Sequence, residues 1–298
     1  MHLDALQTFI TLVEVGNFTK TAEKLLISQP SVSLHIKNLE NAFDTQLLDR
    51  SRKGFRLTPT GEILYHRAKQ LLSIYTSAKQ EIISHHHAVS GSLTIGASFT
   101  IGEYILPALL IDLQETYPNL MLEAVIGNTE EIVRSVKLLQ VDIGLIEGQT
   151  NEKEIEVHPF MEDQLYFVAS SNHSLAKRKS LSIRALDNQL WITREEGSGT
   201  REYLYHVIRK EGLKATAFLT ISSNQGIKET LMQGKGISLL STSVIEREVA
   251  EGNLSKLPVS KKSLTRTFSY ILSPIMKEKK NVEAFLQLLT NVYGRSKT

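Results

Sequence analysis

At 298 residues the chain is long enough to divide into at least two domains, and its 41% hydrophobic and 22% charged content excludes a disordered or fibrous protein. A formal charge of only +2 means that any nucleic-acid footprint has to come from a local cluster, and the absence of cysteine excludes disulfides, thiolate metal sites, iron–sulfur clusters and cysteine nucleophiles. The start MHLDALQTFI has no basic segment followed by an apolar run, and no later run reaches the roughly 18 apolar residues of a membrane span, so a cytoplasmic protein without membrane contact is expected.

Leu3, Leu6, Phe9, Ile10 and Val13 repeat at steps of three and four, which predicts a one-sided helix ended by Gly16. A short second helix follows from Thr19, a candidate N-cap, with Ala22, Leu25 and Leu26 turned inward. In SQPSVSLHIKNLENAF, residues 28–43, Ser28 is placed to cap a third helix and Pro30 falls in its first turn, where a missing N–H costs little. Val32, Ile36, Leu39 and Phe43 form its buried stripe, leaving Gln29, Ser31, Ser33, Lys37, Asn38 and Asn41 on a polar outer face.

Next, LLDRSRKGFRLTPTG sets Arg50, Arg52, Lys53 and Arg56 around Gly54, four cations within seven residues. Leu47 and Leu48 before them, and Phe55 and Leu57 after, predict two short strands joined by a basic turn. Three helices and such a wing make a winged helix-turn-helix. Its third helix fits the major groove, where Gln and Asn pair with adenine edges and Ser or His bonds to several bases, while wing cations reach phosphates. Alone, the helix would read as a solvated amphipathic surface; the capped helix, the helix before it and the wing in this order favour DNA.

The segment FTKTAEKLLISQPSVSLHIKNLENAFDTQLLDRSRKGFRLTPTGE resembles the DNA-binding region of LysR-type transcriptional regulators. Members carry a Ser-Gln-Pro-x-Val-Ser helix, a Leu-Glu pair, a basic wing and a Leu-Thr-Pro-x-Gly exit. The resemblance implies that Gln29, Ser31, Ser33, His35 and Lys37 face DNA, with Arg52 and Lys53 in the wing. Leu34 departs from the pattern, standing where many members carry a basic residue.

Residues 59–86 contain no glycine after Gly61 and no proline after Pro59, which predicts one long helix started by Thr58 and Pro59. Leu64, Ala68, Leu71, Tyr75, Ala78 and Ile82 form a heptad seam that requires a partner helix, from this chain or from a second copy. The resemblance implies the second copy, and a paired reader implies two related half-sites. His85, His86 and His87 follow. Adjacent ring directions diverge and no carboxylate cluster is nearby in sequence, so they are read as a polar hinge rather than a metal site.

From Ser92 onward strands and helices alternate, which predicts α/β packing with a largely parallel sheet. SLTIGAS, LMLEAVIGN and DIGLIEG read as strands, separated by a helix up to Tyr117 and by TEEIVRSVKLL. From about Asp163 the pattern repeats, with QLYFVAS, LWITREE, FLTIS and GISLLS as strands and GTREYLYHVIRKEG and NQGIKETLMQGK as helices. RTFSYILS and a helix over residues 281–293 come last. Ligands of open α/β sheets sit beyond the carboxyl ends of strands, against helix N-termini. Ser98 and Thr100, Asn128 and Thr129, then Thr193, Ser198, Thr200 and Arg201, and Asn224 as a cap, occupy such ends. Each alone reads as ordinary capping; together they favour a small anion, a carboxylate, phosphate or sulfur oxyanion.

This region also resembles the LysR effector domain, which is similar to type-2 periplasmic binding proteins: two α/β subdomains joined by two crossings, here placed near residues 161–164 and 265–268. GASFTIGEYILP, GNTEEI, REEGSGTR and GKGISLLS are most similar to the subgroup that contains regulators of cysteine biosynthesis and carbon fixation. The expected organisation is a winged helix-turn-helix over residues 1–58, a linker and dimerisation helix over 59–88 and an effector domain over 92–298. Within that domain, subdomain I covers about 92–162 and 267–298, and subdomain II about 163–266.

An enzyme is not expected. Ser198 lacks the Gly-x-Ser-x-Gly frame, no glycine loop leads to a Walker A lysine, and no dinucleotide fingerprint is complete. An exported solute-binding protein is disfavoured by the start and by the winged helix. A cytoplasmic binding protein whose helical N-terminus serves assembly is the alternative to a DNA reader. The expected partners are promoter DNA, a small anionic metabolite, a second copy or a tetramer, and RNA polymerase. No cofactor or metal is expected, and the family resemblance implies activation.

Overall fold

The structure is a computed structural model that describes residues 3–51, 54–84, 89–215, 217–259, 264–277 and 279–294. It separates into two compact units, Met1–His87 and a C-terminal unit beginning at Ala88.

In the first unit, α1 (Leu3–Val15) ends at Gly16, which takes a φ of 71°. α2 (Phe18–Leu25) is capped by Asn17 rather than by Thr19; the Asn17 side chain accepts the Lys20 N–H at 3.0 Å. Leu26 is not turned inward as predicted. It closes α2 in the left-handed conformation, φ 55°, and is 93% exposed. α3 (Gln29–Ala42) begins at Ser28, whose Oγ accepts the Ser31 N–H at 3.2 Å. Val32, Ile36 and Leu39 bury against Leu6, Phe9 and Ile10 of α1. Phe43 leaves the predicted stripe because the helix stops at Ala42 and the chain turns away, so its ring is exposed.

The wing is β1 (Leu48–Ser51) paired antiparallel with β2 (Gly54–Leu57). Glu40 ties α3 to it, its Oε1 accepting the N–H groups of Leu47 at 3.0 Å and Leu48 at 3.4 Å. Thr58 Oγ1 donates to the Gln46 carbonyl and accepts the Gly61 N–H, opening α4 (Pro59–Ser84). A Cβ at Gly61 would stand 2.1 Å from the Leu47 carbonyl oxygen, so the last position of the Leu-Thr-Pro-x-Gly exit has room for glycine alone. The seam divides: Leu64 and Ala68 bury in this unit's own core, whereas Leu71, Tyr75, Ala78 and Ile82 are exposed.

The C-terminal unit has two lobes. The first contains β3 (Gly91–Ser98), α5 (Phe99–Tyr104), α6 (Leu106–Thr116), β4 (Leu120–Gly127), α7 (Thr129–Lys137) and β5 (Ile143–Glu147). The single helix predicted up to Tyr117 is two, broken at Ile105, and Pro107 sits in the first turn of the second, where proline is tolerated. β6 (Glu156–Ser170) carries the chain into the second lobe: β7 (Leu190–Thr193), α8 (Gly199–Glu211), β8 (Ala217–Thr220), α9 (Asn224–Met232), β9 (Ser238–Ser241), α10 (Thr242–Ala250) and β10 (Leu254–Lys256). β11 (Leu264–Leu272) returns, and α11 (Lys280–Tyr293) packs on the first lobe through Val282, Phe285 and Leu289.

The main sheet runs β10-β6-β11-β5-β3-β4, with β9 also on β6. Within this sheet, among the described residues, only β3 with β4 and β3 with β5 are parallel, and every pair made by β6 or β11 is antiparallel; β7 and β8 form a separate parallel pair. The predicted largely parallel sheet is therefore mixed, because one crossing strand leaves the first lobe and the other returns beside it. α10 and β10 are elements that the sequence pattern does not single out. No described helix is long and apolar enough to cross a membrane.

Candidate functional site

On α3, Gln29 Nε2 donates to Ser33 Oγ at 3.0 Å and the hydroxyls of Ser28 and Ser31 lie 2.8 Å apart, all at exposed or half-exposed positions. Lys37, Asn38 and Asn41 are exposed beside them. His35 is set apart from this face. Its Nδ1 lies 2.8 Å from Thr8 Oγ1 of α1, a hydroxyl that also lies 2.8 Å from the Asp4 carbonyl oxygen. Arg52 and Lys53 lie outside the described residues, as do His85, His86 and His87; β1 and β2 are described on either side of the basic turn.

In the C-terminal unit the ends of β4, β3 and β5 lie side by side, with Ser98 in register with Gly127. Asn128 caps α7 in a reciprocal arrangement: its Oδ1 accepts the Glu131 N–H at 3.0 Å and its own N–H donates to Glu131 Oε2 at 2.8 Å. Thr129 Oγ1 and Ser98 Oγ are buried with no hydrogen-bond partner among the described residues. A Cβ at Gly199 would fall 3.1 Å from Thr129 Oγ1, which places the start of α8 against that hydroxyl. Ser198 precedes α8 buried and without a side-chain capping bond, and Thr193 is buried at the end of β7.

Thr100 and Thr200, by contrast, are engaged. The Thr100 N–H donates to Glu147 Oε1 at 3.0 Å and Thr200 Oγ1 donates to Glu147 Oε2 at 2.8 Å. Arg266 completes the group, bonding Glu147 through Nη1 and Asp163 Oδ2 through Nε at 2.8 Å, while Ser241 Oγ donates to Asp163 Oδ1 at 2.6 Å. Burial alone would raise the Glu147 pKa, but Arg266, Thr200 and Thr100 hold it down to about 2. Burial pushes Asp163 up against the pull of the same guanidinium. The chain's own carboxylate thus fills the seat that Thr100 and Thr200 frame.

Asn224 does not cap α9; Ser223 does, accepting the Gly226 N–H at 3.2 Å. Asn224 is buried one residue further, accepting from Arg194 Nη1 at 3.2 Å and donating to Glu103 Oε2 at 3.3 Å. Arg194 is fully buried over the Phe99 ring, 4.4 Å from its centroid, and is paired twice with Glu195. Arg201 donates to the Arg194 carbonyl at 3.1 Å, lies over Tyr205, and makes no ion pair among the described residues.

The lobes meet where Glu130 N–H donates to the Gly197 carbonyl at 3.2 Å and Asn128 Nδ2 reaches the Glu196 carbonyl at 3.4 Å. A cavity of about 440 Å³ opens there, lined by Thr129, Ser198, Arg201 and Tyr205 together with Glu130, Glu152, Glu196 and Glu202. Among the described residues no cluster of His, Asp and Glu is arranged to hold a metal ion.

The comparisons with known proteins agree with this geometry. Residues 3–62 match the bacterial regulatory helix-turn-helix protein family, lysR type, and residues 86–294 match the LysR substrate binding domain. The HTH-type transcriptional regulator CysL of Bacillus subtilis (strain 168) is 56% identical over 293 residues, covering 98% of each chain. A full-length OxyR variant from Pseudomonas aeruginosa superposes with a TM-score of 0.77 over 97% of this chain and 95% of its own; at 23% identity it shows the fold. The regulatory domain of CcmR from Synechocystis PCC6803, solved in complex with 2-PG, matches 70% of this chain and 99% of its own at 26% identity and a TM-score of 0.62.

Proposed function

The chain belongs to the LysR family of bacterial DNA-binding transcriptional regulators, and from that premise we propose that the signal it answers is a small, compact oxyanion held in the cleft of its C-terminal unit. The observation that carries this reading is the pair of buried hydroxyls, Ser98 Oγ and Thr129 Oγ1, left without partners among the described residues, at the end of β3 and the start of α7. An unsatisfied buried hydroxyl costs on the order of 1–3 kcal/mol, and an anion accepting from both removes that cost. The positive end of the α7 dipole favours negative charge there. Arg201, uncommitted to any carboxylate among the described residues, stands at the cavity wall as the cation a ligand can recruit.

Two features favour a compact anion. Glu147 already occupies the seat of Thr100 and Thr200, and four glutamates line the cavity, so a long acid with carboxylates spread along it meets repulsion. Phosphate, a sulfur oxyanion or a short carboxylate fits this arrangement. The CcmR domain solved in complex with 2-PG is a precedent for a bound ligand on this fold.

The anion shifts activity by binding the open and closed lobes with different affinity, since equal affinity shifts nothing. The protein works in the cytoplasm as a dimer or tetramer on promoter DNA, activates transcription through RNA polymerase, and performs no catalysis. The exposed part of the α4 seam supports the dimer. The exposed side chains of Met121 and Ile126 on β4, and of Phe218 and Leu219 on β8, support further assembly through the C-terminal units.

The test is a thermal-shift series on the full chain with inorganic phosphate, sulfate, sulfite, thiosulfate and short carboxylates. At least one is expected to raise the midpoint of the wild type and to leave Ser98→Ala and Thr129→Val unmoved, while both variants keep basal DNA binding. Anion effects that survive in both variants would overturn the assignment.

A further inference from the structure

The outer face of α3 is polar except at its centre. Counting at 3.6 residues per turn, Leu34 stands about 170° around the helix from the middle of the buried stripe formed by Val32, Ile36 and Leu39. Its side chain is 55% exposed, and it belongs neither to the core of the first unit nor to the apolar side chains packed against that core. Around it lie Ser33, Lys37, Asn38 and Asn41. Single exposed leucines are common and need no explanation. This one is different because it occupies the middle of the face that a helix-turn-helix protein turns into the major groove.

In that groove one apolar group is on offer. The C5-methyl of thymine projects from the base edge, whereas guanine, cytosine and adenine present donors and acceptors that a leucine cannot satisfy. A basic residue at this position would reach a guanine edge or a phosphate; leucine can do neither. It desolvates against a methyl group and penalises the polar edges whose water it displaces. The amides of Gln29, Asn38 and Asn41 are suited to adenine N6 and N7, and an A·T pair displays that pattern and the methyl in the same groove.

We infer that Leu34 is a specificity-determining residue which reads thymine methyl groups, so that the half-site beneath α3 contains A·T pairs with a thymine methyl seated against this side chain. The inference rests on DNA reading by α3, and the experiment separates the two.

Full-length protein is used to select duplexes from a random library. The enriched duplex is then resynthesised with 2′-deoxyuridine in place of thymidine at one position at a time, which removes the methyl and leaves the pairing edge unchanged. Binding is followed by fluorescence anisotropy for the wild type, Leu34→Ala and Leu34→Arg. For the wild type, one or two positions per half-site are expected to lose about three- to fivefold in affinity on loss of the methyl, the value of one buried methyl group. Leu34→Ala is expected to bind the parent duplex more weakly by a similar factor and to show no deoxyuridine penalty. Leu34→Arg is expected, on repeated selection, to exchange thymine for guanine at that position.

If no duplex is enriched, DNA reading itself fails and the inference falls with it. If a duplex is enriched but deoxyuridine has no effect anywhere, or its penalty persists in Leu34→Ala, α3 reads DNA without Leu34 and only the inference falls. Because Leu34 is outside the core, both variants are expected to retain the wild-type circular-dichroism melt.

Discussion

Gly61 and Leu26 show opposite backbone demands within the first unit. At Gly61 a Cβ would collide with the Leu47 carbonyl oxygen, which is itself held by the turn that starts α4. Gly61→Ala is therefore expected to destabilise this unit by roughly 2–4 kcal/mol, read as a lower midpoint in chemical denaturation and a loss of DNA binding. Leu26 holds a left-handed conformation that costs a non-glycine residue strain, and its exposed side chain gives up little if removed. Leu26→Gly or Leu26→Asn is expected to raise stability by up to about 1 kcal/mol in the same assay. Neither demand is fully legible in the sequence. Gly61 is visible there as part of the exit motif, but its collision partner is 14 residues upstream. Leu26 reads as a buried leucine because its spacing fits the apolar stripe, and only the early end of α2 turns it out. Asn17 and Thr19 are both good capping residues, and local sequence does not decide between them.

The crossing elements β6 and β11 are held by charge as well as by pairing. Asp163 and Arg266 face each other across the two strands, and Glu147 reaches the same guanidinium from the end of β5. Glu147 titrates near 2 in the folded protein against 4.5 for an ordinary glutamate, so its stabilisation is complete above about pH 4.5 and is lost as pH falls towards 2. That difference amounts to about 3 kcal/mol. Asp163 has the opposite sign: its raised value favours the folded state when protonated, a contribution present below the unfolded value and lost as pH rises through the folded one. Glu147→Gln is expected to flatten the stability profile between pH 4.5 and 2 in urea melts taken across that range. Arg266→Met, which leaves two buried carboxylates without a cation, is expected to cost roughly 3–5 kcal/mol at neutral pH. The network escapes sequence reading because its members are 103 and 119 residues apart. The available signal is a charge inside an apolar strand run, as in IGLIE and LTRTFSYIL, which demands a buried counter-charge without saying where it comes from. Thr100 and Thr200 are identified by sequence as ligand groups on the right strand and helix ends, and the structure gives both to Glu147.

At the scale of the molecule, the heptad seam of α4 decides whether one recognition helix or two meet the DNA. Its first two positions are consumed by the unit's own core, which is the intramolecular use that sequence alone leaves open. Leu71, Tyr75, Ala78 and Ile82 remain exposed at heptad spacing, and a run of large apolar side chains left in water over several turns calls for a second helix. Sequence shows the periodicity but not this division, because the share taken by the core depends on how α1 packs across the start of α4. Leu71→Glu combined with Ile82→Glu places charge at both ends of the remaining seam without touching the core, so the variant is expected to fold and to sediment at a lower oligomeric mass than the wild type. Phosphate contacts add between paired heads, and the slope of log affinity against log salt follows their number. The variant's salt slope on a two-half-site duplex is therefore expected to fall to about half that of the wild type. Its affinity for a single half-site is expected to stay unchanged, since each head keeps its own helix and wing. A variant that remained dimeric with an unchanged slope would mean that the copies are held together elsewhere, and the exposed edges β4 and β8 would then be the surfaces to disrupt.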